Sequence, residues 1–136
     1  MRALLVLYLV QSQEYSEFEA LNIYAIYTGL VYVTPVFGGF LADRFLGYNK
    51  AIIIGGIVMI LGHLMMALPD YLYLAMGLLI IGNGFFKPNI STLLGKFYSE
   101  DDPKRDAGFS FFYVGINLGA FMAPLIIGFV GEAIDW

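Results

Sequence analysis

Three stretches of this chain run without a single charged side chain: Ala20 to Ala42, Ala51 to Pro69 and Ala107 to Gly131, of 23, 19 and 25 residues. A hydrocarbon layer about 30 Å thick is crossed by about 20 helical residues, and a helix satisfies its own backbone hydrogen bonds where water is absent. Each run therefore predicts a membrane-crossing helix. Tyr71 to Gly95 has the same reach and predicts a fourth, although it carries Lys87. The first apolar run, Ala3 to Val10, would cover only about 12 Å as a helix. It reads either as a re-entrant or interfacial stub or as the second half of an interrupted first helix, and the latter is the expectation. Composition agrees, because 13% charged residues is well below the roughly 25% of soluble domains. The expected fold is all-α and integral to the membrane. It is one partial bundle over residues 1–136, with helices near 1–10, 20–42, 50–69, 71–97 and 107–131.

Orientation follows from the basic residues, which cytoplasmic loops retain. Arg44 and Lys50 lie between the second and third helices, and Lys96, Lys104 and Arg105 between the fourth and fifth. Segments 43–50 and 96–106 are therefore expected in the cytoplasm, in a multi-pass protein of the cytoplasmic (inner) membrane. With no cysteine and one histidine, neither thiol chemistry nor a metal cluster is expected. His63 reads as a packed or interhelical residue. No nucleophile-and-base arrangement, phosphate loop or basic nucleic-acid surface is visible. Neither an enzyme nor a cofactor is expected.

Lys87 is the most informative residue. An ammonium near the bilayer centre costs about 2.5 to 3.5 kcal/mol on insertion scales and marks a functional site by default. Snorkelling to the interface would require a reach of about 13 Å along the axis to the level of Lys96. That distance favours a role inside the protein. Asn83, Lys87 and Ser91 fall at helical spacing and make one polar stripe, and Pro88 should loosen the helix beside it. On the second helix Tyr24, Thr28 and Tyr32 make another stripe. Tyr32 is too deep for a belt position and needs protein or a wet cavity for its hydroxyl. Asn117 sits mid-span in Gly115-Ile116-Asn117-Leu118-Gly119. Its amide suits interhelical glue and ligand binding equally, and the two glycines allow another helix to come close.

Between the second and third helices runs Gly38-Gly39-Phe40-Leu41-Ala42-Asp43-Arg44-Phe45-Leu46-Gly47-Tyr48-Asn49-Lys50. Its glycines permit close helix packing, and Asp43 and Arg44 end a helix with charges that can pair. Gly39, Asp43, Arg44, Gly47 and Lys50 match the loop motif of the major facilitator superfamily, with Asn49 where an arginine is common.

Two further stretches, Gly82-Asn83-Gly84-Phe85-Phe86-Lys87-Pro88-Asn89-Ile90-Ser91 and Asp106 to Phe121, extend the likeness. With them the chain resembles the proton-dependent oligopeptide transporters of that superfamily over essentially its whole length. The resemblance implies a partial N-terminal bundle, comprising the second half of helix 1 and helices 2–5. It implies symport of di- and tripeptides with protons by alternating access. Lys87 would take part in proton coupling opposite glutamates of an E-x-x-E-R motif on the first helix. Asn117 would contact the peptide, and Arg2 and Tyr32 would line the cavity. The partners implied are the peptide, protons, the bilayer, and the rest of the same protein: the first half of helix 1 and the C-terminal bundle. The E-x-x-E-R motif does not precede Met1, so the segment alone is expected to be inactive. Ala25 stands where mammalian-type members carry histidine, which fits a bacterial member. Related members that move nitrate, amino acids or other small solutes, and a non-transporting membrane remnant or assembly partner, are the competing readings.

Overall fold

The computed structural model describes the backbone of residues 2–133, leaving out the side chains at positions 2, 3, 69 and 132. Among the described residues there is helix and turn but no strand. A short helix α1 (Arg2–Gln11) precedes four long ones: α2 (Glu17–Leu41), α3 (Tyr48–Met66), α4 (Leu72–Lys96) and α5 (Arg105–Ala133). That order of one short and four long helices is what the apolar runs predict.

The helix ends depart from the apolar runs where local capping extends them. Ser16 and Glu19 form a capping box: the Ser16 hydroxyl accepts from the Glu19 amide at 3.3 Å, and the Glu19 carboxylate accepts from the Ser16 amide at 3.1 Å. This begins α2 ahead of Ala20. At α5, the Asp102 carboxylate accepts from the Lys104 amide at 2.8 Å. The Asp102 carbonyl accepts from the Arg105 amide at 3.0 Å, which sets the first turn.

Three segments are long and apolar enough to cross a membrane: Glu17–Leu46, Tyr48–Met66 and Arg105–Gly131. The fourth predicted span has the length, since α4 is 25 residues, but Asn83, Lys87 and Asn89 make it less apolar. It instead buries part of its surface against its neighbours. Leu72, Ala75, Met76, Leu79, Gly82, Gly84 and Asn89 are all buried along it.

The chain packs as two compact units, Met1–Ile26 with Asp101–Trp136, and Tyr27–Glu100. In the first, α1 packs on α5, and Leu5 and Leu9, one turn apart, are fully buried. In the second, α4 lies between α3 and the later part of α2. Gly82 and Gly84 are about 200° apart around the helix and serve opposite neighbours. A Cβ on Gly82 would fall 2.8 Å from the Gly55 carbonyl oxygen of α3, and one on Gly84 2.8 Å from the Thr34 Cβ of α2. Glycine is what allows both approaches.

After α2 the chain makes one wide turn over Ala42–Leu46, closed by the Gly47 amide donating to the Ala42 carbonyl at 2.8 Å. Gly47 has φ 76° and ψ 153°, a conformation that only glycine adopts cheaply. This accounts for the glycine at that motif position.

Candidate functional site

Unit two brings Lys87 and Tyr32 together. The Lys87 ammonium lies 5.4 Å from the centroid of the Tyr32 ring, in cation–π range, with α4 supplying the cation and α2 the ring. Tyr32 is 62% exposed and Lys87 is exposed as well. Neither is sealed in a core. Among the described residues no carboxylate pairs with Lys87, and segments 20–42, 51–69 and 107–131 contain no Asp or Glu. Ser91 completes the polar stripe by donating to the Lys87 carbonyl at 3.5 Å. On α2, the Thr28 hydroxyl is buried with no hydrogen-bond partner among the described residues.

Asn117 belongs to unit one. It is exposed, and around it Gly115 and Gly119 would each accept a Cβ with nothing within 4 Å. The expected helix partner for that surface is not among the described residues, so both readings of Asn117 stand. The Arg2 side chain lies outside the described residues.

The loop motif behaves differently from its expected pairing. Asp43 accepts a hydrogen bond from the Tyr48 hydroxyl rather than pairing with Arg44. Arg44 lies 6.0 Å over the Phe40 ring, and the Lys96 ammonium 4.0 Å over the Tyr48 ring. Tyr48 thus joins the loop to the C-terminal end of α4. Lys50 is exposed. Of the two adjacent glycines, Gly38 carries the close approach, with a Cβ there only 2.1 Å from the Gly84 carbonyl oxygen. At Gly39 a Cβ would meet only the Pro88 Cβ at 3.8 Å, an ordinary contact. His63 is exposed, with Nδ1 2.7 Å from the Met59 carbonyl of its own helix, so it neither packs nor bridges helices.

Asn89 and Tyr48 are the residues that reading the sequence passed over. Asn89 is 1% exposed, with its amide nitrogen donating to the Phe85 carbonyl at 2.6 Å and to the Gly38 carbonyl at 3.3 Å. The signal was available: an amide beside a proline at membrane depth has the same need for a partner as Asn117.

Residues 49–136 match the family model of the POT family. A di-/tripeptide transporter of Lactococcus lactis subsp. lactis is 46% identical over 121 residues, covering 87% of this chain and 24% of the relative. An uncharacterized transporter of Bacillus subtilis, YclF, is 41% identical, covering 100% of this chain and 29% of its own length. The chain thus spans about a quarter of the curated relatives it matches. A crystal structure of a peptide transporter POT variant in complex with alafosfalin superposes with a TM-score of 0.93 at 42% identity, over 98% of this chain and 29% of that one. A POT family transporter in complex with 5-aminolevulinic acid superposes with a TM-score of 0.88 at 36% identity, over 95% and 28%.

Proposed function

Because the chain belongs to the POT family, we propose that it forms part of a transporter that carries di- and tripeptides inward with protons by alternating access. The observation that carries this reading is Lys87, an ammonium at membrane depth held over Tyr32 with no carboxylate among the described residues to neutralise it. Such a cation needs an anionic partner from elsewhere in the protein. Protonating that carboxylate weakens the pair, and the helices that carry the two groups are then free to separate. Proton binding thereby biases which side the cavity faces. Tyr32 lies beside Lys87, and by resemblance to the family Asn117 would contact the peptide and Arg2 would line the cavity. The protein would lie in the cytoplasmic membrane with segments 43–50 and 96–106 inside.

The likeness to a transporter in complex with 5-aminolevulinic acid favours including small amino acids among the solutes assayed. The test is uptake by the full-length protein in liposomes with and without an inward proton gradient. Lys87→Ala should abolish gradient-driven accumulation while retaining peptide exchange. Accumulation at the wild-type level would remove Lys87 from the coupling mechanism.

A further inference from the structure

Pro88 directly follows the residue that matters most. A proline disfavours the helical conformation of the residue before it, which here is Lys87, and it leaves the carbonyl of the residue four positions back, Gly84, without its donor. Yet α4 continues unbroken from Leu72 to Lys96. Beside the break, α2 lies against α4. The Gly38 Cα lies directly over the orphaned Gly84 carbonyl, since a Cβ there would be 2.1 Å from the oxygen, and it can offer a weak Cα–H contact. One turn away, the Thr34 hydroxyl donates to the Ile80 carbonyl at 3.1 Å.

Asn89 adds two bonds beside the break. Its amide donates at 2.6 Å to Phe85 in the preceding turn of α4 and at 3.3 Å to Gly38 on α2. A crevice of about 120 Å³ opens beside the seam, lined by Thr34, Phe37, Leu41, Ile81 and Phe85 along with the two glycines. Close backbone packing at Gly38–Gly84 sets how near α4 comes to α2, and the Asn89 bond adds a directional tie between them. Residues 87 and 89 project about 200° apart around the helix, and both reach α2, Asn89 at Gly38 and Lys87 at Tyr32, so a tie at Asn89 bears on the rotation that directs Lys87.

We propose that Asn89 is a positioning residue for Lys87: its amide ties α4 to Gly38 of α2 across the Pro88 break and so holds the lysine over Tyr32. Its importance to transport rests on the reading of Lys87 as the coupling group, but the geometry can be tested apart from that reading. In the full-length protein freed of other cysteines, cross-linking of the Tyr32→Cys/Lys87→Cys pair by a short bifunctional thiol reagent reports the α2–α4 orientation. Asn89→Leu, similar in size but without donors, should lower the cross-linking rate roughly three- to tenfold, about the worth of one interhelical amide bond. Asn89→Ser can still bond back within its own helix but cannot reach Gly38. It should fall like Asn89→Leu, and it serves as the folded variant if leucine prevents insertion. In the protein with Lys87 and Tyr32 intact, the ratio of gradient-driven accumulation to peptide exchange should drop in step, and exchange should lose its normal pH profile. Cross-linking at the wild-type rate in both variants overturns the proposal. Driven uptake and exchange that fall equally, with an unchanged pH profile, also overturn it by making Asn89 merely structural. If Lys87→Ala leaves driven uptake intact while the Asn89 variants lose cross-linking, the positioning stands and the coupling reading fails.

Discussion

The pairing of Lys87 with Tyr32 is a case of one side chain making another tolerable. A ring face attracts a cation by about 0.5 to 2 kcal/mol, depending on how far the pair is removed from water. Tyr32→Phe keeps that face and Tyr32→Leu does not. Peptide uptake by the full-length protein should therefore fall further for the leucine variant than for the phenylalanine variant, by roughly two- to fivefold. Equal rates would show that the ring is not what Lys87 needs. Two glycines of the loop motif give a second residue-scale contrast. Gly47 holds φ 76° and ψ 153°, so Gly47→Ala should cost about 1 to 3 kcal/mol, read as a lower unfolding temperature in detergent. Gly39 is helical with room for a methyl group, and Gly39→Ala should be neutral or slightly stabilising in the same assay.

Among the elements, α4 is the one on which its neighbours depend. Its two glycine faces let α2 and α3 approach at backbone distance, so stability there is a matter of fit rather than of buried bulk. Adding a methyl at Gly38, Gly55 or Gly82 forces atoms closer than 3 Å to backbone, and each change to Ala should destabilise by about 1 to 3 kcal/mol. At Gly29 and Gly77 an added methyl would have nothing within 4 Å, and the same substitution there should cost nothing. Thermal unfolding of the five variants in one detergent checks the contrast, and equal shifts would refute the glycine seams. At the far end of α4, the Lys96–Tyr48–Asp43 chain links helix to loop. Tyr48→Phe keeps the ring under Lys96 and loses only the bond to Asp43, so it should disturb the loop less than Tyr48→Ala, as read by proteolysis at the loop.

For the whole molecule, the governing fact is how much apolar surface stays uncovered. Phe111, Phe121 and Phe129 of α5 are 78%, 68% and 74% exposed, far more than water tolerates in one patch. The curated relatives that the chain matches are about four times longer, and the proposed function would place lipid and further helices against such a surface. Gly115→Leu and Gly119→Leu should therefore leave the unfolding temperature of the isolated segment in detergent unchanged, because nothing lies within 4 Å of either site. In the full-length protein the same changes should lower it if another helix packs on that face. The isolated segment in liposomes should accumulate no peptide under a proton gradient. Accumulation would mean that one quarter of the relatives' length suffices for transport.

What the amino-acid sequence determined by itself was whatever depends on the solvent and on nearest neighbours. Charge-free runs imposed helices because an unpaired backbone amide is too costly in hydrocarbon, and Lys87 stood out for the same reason. The glycine after the wide turn was legible only as a motif position; its backbone conformation, not helix packing, is what the structure assigns to it. Tertiary structure decided which polar group meets which. Asp43 and Arg44 are adjacent and opposite in charge, yet Asp43 takes the Tyr48 hydroxyl and Arg44 lies over Phe40. Gly38 and Gly39 look equivalent in the chain, but only Gly38 faces the carbonyl that Pro88 strips of its donor. Asn89 finds its partner 51 positions away in sequence, on a helix whose rotation no local pattern specifies. Such contacts form only after helices have chosen faces, and that choice is made by close packing of backbones, which one-dimensional periodicity does not encode.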